Sequence, residues 1–137
     1  MDIVKIGKWI KKNIQYDINL EKQIEITAEE TLSNKKGVCF HITQLFNAFM
    51  YSLDYQCVYI SGYAIHKNYT YSKDDSHSWS LIKINDRWLP FDPTFGIFTG
   101  RLPVSHIFSS YFLKIVEKKG STEVKIMERE ISGKFLE

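Results

Sequence analysis

Cysteine and proline are scarce in this chain of 137 residues, with two of the first and three of the second. Two cysteines, Cys39 and Cys57, do not make the disulfide framework on which small secreted domains depend, and neither belongs to a C-x-x-C pair. The spacings of His41, His66, His77 and His106 match none of the usual helical metal patterns, so no metal and no cofactor is expected. A large charge of one sign is missing as well. Eighteen basic residues against sixteen acidic ones leave a net charge of +2, too small to make nucleic acid the main partner. No apolar run is long enough to span a bilayer, and the start lacks an apolar stretch followed by a small-residue cleavage site. The expectation is a cytoplasmic protein with no membrane partner. Repeats are absent too, and nothing divides the chain, which reads as a single domain over 1–137. What it does have is aromatic side chains, 15% of all residues within a hydrophobic share of 44%, enough to bury a core without staples.

The apolar positions change period along the chain. Over 3–14, Ile3, Ile6, Trp9, Ile10 and Ile14 recur at helical offsets, with Lys5, Lys8, Lys11 and Lys12 on the polar side. That pattern predicts a surface helix docking on the core rather than a membrane-binding one. Thr27 followed by Glu30 resembles a capping box and predicts a short helix over 27–32. From Val38, the positions Ile42, Leu45, Phe46, Phe49, Met50 and Leu53 predict a helix buried over much of its surface. Strands then follow. Residues 56–64 read as one, with Val58 and Ile60 on one side, Cys57 and Tyr59 on the other, and a bulge expected at Ser61-Gly62. The polar run 66–76 reads as a loop and a candidate lid. Strands over 78–84 and 87–91 flank Asn85-Asp86, a tight-turn pair, and Pro93 stops the second. A last hairpin is expected over about 112–127, from strands at 112–117 and 122–127. Helices first and antiparallel strands after them make an α+β pattern.

One residue stands at a chemically telling place. Cys39 opens the long helix, where unpaired backbone N–H groups and the helix dipole favour a thiolate, the nucleophilic form of cysteine. Such a nucleophile needs a base to take its proton and a group to orient that base; His77 and Asp92 lie downstream in strand-like segments. If Asn85 and Asp86 are the turn, paired positions across the hairpin sum to 171. His77 and Asp92 are then diagonal neighbours on one face, at a backbone separation of about 7 to 8 Å that their side chains can bridge. The sheet face bearing His77 is expected to pack against the start of the Cys39 helix. Cys57, inside an apolar strand, reads as structural. His41, two residues beyond Cys39, points away from the thiol and reads as a partly exposed or core residue. Trp79 and Trp88 read as core or site-wall aromatics.

Three ordered blocks carry a resemblance. Gly37-Val38-Cys39 with Leu45-Phe46-Asn47-Ala48-Phe49, then His77-Ser78-Trp79-Ser80-Leu81-Ile82, then Trp88-Leu89-Pro90-Phe91-Asp92-Pro93-Thr94 are similar to the core of the transglutaminase-like superfamily. The likeness covers roughly residues 9–96. It implies a papain-like arrangement, with a central Cys-bearing helix packed against an antiparallel sheet. It also implies Cys39 as nucleophile, His77 as general base and acid, and Asp92 as orienting carboxylate. Members transamidate, deamidate or hydrolyse amides and peptides, and some have lost activity. Position 78 is Ser where the family often has Ala, and the extra domains and calcium sites of the large animal enzymes are not seen.

The expected function is therefore a cysteine enzyme that acts on amide or peptide carbonyls of a peptide or protein substrate through a thioester. The alternative is a non-catalytic binding or scaffold domain that keeps the same cleft. An oxyanion would need donors, for which the Cys39 backbone N–H and a side chain such as Gln23 or Asn34 are candidates.

Overall fold

A computed structural model of the protein describes residues 2–64, 76–102, 106–119 and 123–130, and the side chains within 2–63 and 76–102. The chain opens with helix α1 (Asp2–Asn13), the two-residue strand β1 (Gln15–Tyr16) and a 3₁₀ turn (Ile18–Leu20). Helix α2 (Ala28–Asn34), strand β2 (Lys36–Gly37) and helix α3 (Cys39–Ser52) follow. Five strands complete it: β3 (Cys57–Ala64), β4 (Ser76–Ile84), β5 (Arg87–Phe91), β6 (His106–Lys119) and β7 (Glu123–Glu130). They form one antiparallel sheet in the order β5-β4-β3-β6-β7.

Helices and sheet meet through residues whose spacing switches from helical to alternating. Ile3 and Ile10 of α1 and Ile42, Leu45, Phe46 and Met50 of α3 pack on Cys57, Ile82 and Phe91 of the sheet. Residues of the other parity, Val58 and Ile60 on β3 with Trp79 and Leu81 on β4, build a second cluster completed by Trp88 and Leu102. Both faces of β4 are therefore covered, and His77 through Ile82 are all buried. Each large apolar side chain removed from water in this way contributes roughly 1.5–3 kcal/mol.

The short α2 starts as expected. Thr27 Oγ1 accepts the Glu30 N–H at 3.1 Å while Glu30 Oε1 accepts the Thr27 N–H at 3.3 Å. In the β4–β5 hairpin, Asn85 and Asp86 both take positive φ, 52° and 63°, the pair of values a type I′ turn requires. Ser80 pairs with Phe91 and Ile84 with Arg87, the register that sums to 171. Pro90 is tolerated because β5 is an edge strand. The expected bulge lies where β3 shifts register against β6, between Ile60 and Gly62.

Three features differ from the sequence reading. Of the expected stripe, Ile3, Ile6, Ile10 and Ile14 meet the core, while Trp9 is 42% exposed. Gly7 lets the Phe98 ring approach α1, since a Cβ there would overlap that ring. Strand β6 runs 106–119, well beyond 112–117, because it follows β3 past the bulge. The parallel pairing of Gln15 with Lys36 and of Tyr16 with Gly37 has no periodic signal at all. The expected lid falls on 66–75, outside the described residues, apart from Ser76, which opens β4. Among the described residues, no helix is long and apolar enough to cross a membrane.

Candidate active site

The turn into α3 explains the Gly37-Val38-Cys39 sequence. Val38 is the N-cap, with extended backbone at φ −103°, and has no side-chain oxygen to serve the helix start. His41 holds the cap residue's own N–H. Its Nδ1 accepts the Val38 N–H at 3.0 Å, which puts the ring proton on Nε2, and Nε2–H donates to the Gln23 carbonyl at 2.7 Å. His41 is fully buried, on the core side of the two places expected for it. Gly37 is needed because a Cβ there would stand 2.7 Å from the Cβ of His41. Cys39 is the first residue of the helix so fixed, and it is nearly buried, 9% exposed.

Strands β4 and β5 supply the other two groups. Beyond the Ser80–Phe91 pair the chain leaves the sheet, making an isolated bridge between Asp92 and Ile97. The edge of β4 is therefore free of β5 at His77. There His77 Nε2–H donates to Asp92 Oδ2 at 2.7 Å, with both side chains buried. Asp92 Oδ1 accepts the Phe95 N–H at 2.9 Å, and the Phe95 ring stacks on the imidazole, centroids 4.3 Å apart and planes 14° from parallel. Phe95 follows from no sequence signal. One expectation needs correction: the β4 row against α3 is Ser78, Ser80 and Ile82, the parity set by the Ser80–Asn47 side-chain hydrogen bond and by Ile82 in the helix-side core. His77 shares the parity of Trp79 and reaches the thiol from the exposed strand end instead.

Cys39, His77 and Ser78 share one cleft of ≈ 410 Å³, walled also by Tyr16, Phe40, Tyr59 and Ser61. Burial alone would raise the Cys39 thiol's pKa, yet the hydrogen bonds and charge of His77 and the contact with Ser78 bring it below its ordinary value of 9.0. Burial alone would lower His77. Its hydrogen bonds to Asp92 and Cys39 outweigh that and raise it from 6.5 to about 9. Cys39 and His77 each favour the other's charged form, and Asp92 adds to the rise of His77.

Tyr16, brought in by the β1–β2 pairing, sets its phenol against the Cys39 backbone amide, and burial raises its pKa. Gln23 and Asn34 are exposed and do not line the cleft. Cys57 lies elsewhere, in the core, its Sγ 3.5 Å from the Asn47 carbonyl, with burial pushing its pKa up. Trp79 and Trp88 belong to the second cluster. His66 falls outside the described residues, as does the side chain of His106. Among the described residues, no three His, Cys, Asp or Glu side chains converge to hold a metal.

The likeness to known proteins fits this geometry. A putative cysteine protease from Cytophaga hutchinsonii has the same fold, at a TM-score of 0.63 and 20% identity over 95% of this chain and 45% of that one. The chain thus spans less than half the length of that protein. No curated protein matches the sequence. The model of the transglutaminase-like superfamily matches residues 2–93, from the first helix to the residue after Asp92. With that match and a Cys-bearing helix packed on an antiparallel sheet, the chain belongs to the transglutaminase-like superfamily and has its papain-like core.

Proposed function

We propose that the protein is a cysteine enzyme that acts on amide or peptide carbonyls through a thioester, with Cys39 as nucleophile, His77 as general base and acid, and Asp92 as its orienting carboxylate. The observation that carries the proposal is the buried 2.7 Å bond from His77 Nε2 to Asp92, which leaves Nδ1 as the ring nitrogen for the thiol. The Cys39 thiolate attacks the carbonyl carbon, and negative charge passes to its oxygen. The Cys39 N–H and the Tyr16 hydroxyl, which meet at the cleft wall, are the candidate donors for that charge. His77 then protonates the departing amine as the carbon–nitrogen bond breaks and the thioester remains. Water or an amine, losing its proton to His77, attacks the thioester and expels the thiolate. Water gives hydrolysis; an amine gives transamidation.

The test is alkylation by iodoacetamide across pH, with each cysteine followed by peptide mass. Cys39 is expected to react with a midpoint below 9 and, near neutral pH, at least about tenfold faster than a free thiol, while Cys57 stays inert. Rates at Cys39 equal to those of a free thiol overturn the proposal and favour a non-catalytic binding domain.

A further inference from the structure

The Ser78 hydroxyl is buried, on a residue 2% exposed, and its oxygen has no hydrogen-bond partner at bonding distance among the described residues. Buried hydroxyls normally have one, so an unsatisfied group on the wall of a reactive cleft requires a physical account. Its backbone is not free to turn away: the Ser78 carbonyl accepts the Thr43 hydroxyl at 3.3 Å, and Ser78 pairs with Ser61 across β3. The groups facing the hydroxyl are the thiol of Cys39 and the phenol of Tyr59.

A neutral thiol is a weak acceptor, whereas a thiolate is a charged one. Ionisation of Cys39 would therefore satisfy the hydroxyl and the sulfur together. Resting on the cysteine-enzyme reading above, we propose that Ser78 is a further catalytic residue, whose Oγ–H donates to the Cys39 thiolate and holds it ionised and aimed into the cleft. No bond is made or broken by Ser78; the proton that leaves the thiol resides on His77. The other titratable groups facing the thiol from the described elements are His77 on β4, Tyr59 on β3 and Tyr16 on β1, with Glu21 on the same cleft. Tyr59 behind Ser78 has its pKa raised by burial, so it stays a neutral phenol beside the sulfur.

The experiment compares the full chain with Ser78→Ala and Ser78→Thr, using iodoacetamide as the probe and following Cys39 by peptide mass across pH. Ser78→Ala is expected to move the Cys39 midpoint up by about one pH unit, so that alkylation near pH 6 slows about tenfold while the alkaline rate stays unchanged. Ser78→Thr, which keeps the hydroxyl, is expected to keep the wild-type profile. Superimposable profiles for wild type and Ser78→Ala overturn the proposal, as does an equal shift in Ser78→Thr, which would trace the effect to packing. Wild-type Cys39 reacting like a free thiol would instead overturn the cysteine-enzyme reading on which the proposal rests.

Discussion

Each oxygen of Asp92 has its own partner, and the division fixes the imidazole of His77 in its plane: Oδ2 takes the Nε2 proton and Oδ1 takes the Phe95 N–H. Phe95, stacked at 4.3 Å, fixes the ring out of that plane. The carboxylate also raises the pKa of His77, by a hydrogen bond and by its charge. Asp92→Asn retains the shape and removes the charge. An amide also presents a donor where the ring needs an acceptor, which favours the wrong tautomer. In the proposed enzyme, kcat on a peptide amide should fall on the order of 10³-fold or more. The alkaline limb of its pH profile should move down from about 9 towards 6.5, since the native imidazolium loses the partner that held its proton. Titration of kcat/KM against pH for both proteins checks this; an alkaline limb that stays in place would separate Asp92 from the titration of His77.

The β4–β5 hairpin delivers His77 and Asp92 to one place, and its turn is the element on which their register depends. Asn85 and Asp86 both sit in the left-handed region, which suits Asn but costs most other residues about 1 kcal/mol. Asp86→Gly should stabilise the protein by roughly 0.5–1 kcal/mol, and Asp86→Val should destabilise it by about 1–2 kcal/mol, read from urea midpoints at unchanged m. If the two variants have equal stability, the turn does not bear the strain assigned to it. This hairpin was legible in the sequence because a type I′ turn is local chemistry: two residues set the register and parity does the rest. The Thr27–Glu30 capping box and the alternation of Cys57 to Ile60 were legible for the same reason. What escaped was non-local. The β1–β2 pairing that places Tyr16 by Cys39 joins residues 21 apart, Gln15 with Lys36 and Tyr16 with Gly37, with no periodic pattern, so the side-chain oxyanion candidates read from the sequence, Gln23 and Asn34, do not line the cleft. His41 gave no sign that its ring would hold the Val38 N–H, since the tautomer that does so depends on the closeness of the Gln23 carbonyl.

Over the whole molecule, the candidate site joins layers that fold separately in sequence. Cys39 comes from α3 and His77 from β4, so a proton passed between them couples the helix layer to the sheet. The consequence for stability can be signed. In the unfolded chain between pH 6.5 and 9 the thiol holds its proton and the imidazole is neutral, so the pair carries one proton. In the native state, above the depressed pKa of Cys39 and below about 9, the pair also carries one, moved to the imidazole. Taken singly, the raised His77 makes stability fall as pH rises through this window and the lowered Cys39 makes it rise. Together they leave the proton count unchanged on unfolding and contribute no slope. Cys39→Ala removes one half of that balance. The bond to Asp92 still raises His77, so the native state holds a proton that the unfolded chain has released. Stability of the variant should then fall with pH, relative to wild type, by up to about 1.4 kcal/mol per unit above 6.5. Urea unfolding of both proteins at intervals from pH 6.5 to 9 measures the difference, in which the other titrating groups cancel. Parallel stability curves would mean that no proton moves from Cys39 to His77 in the folded protein.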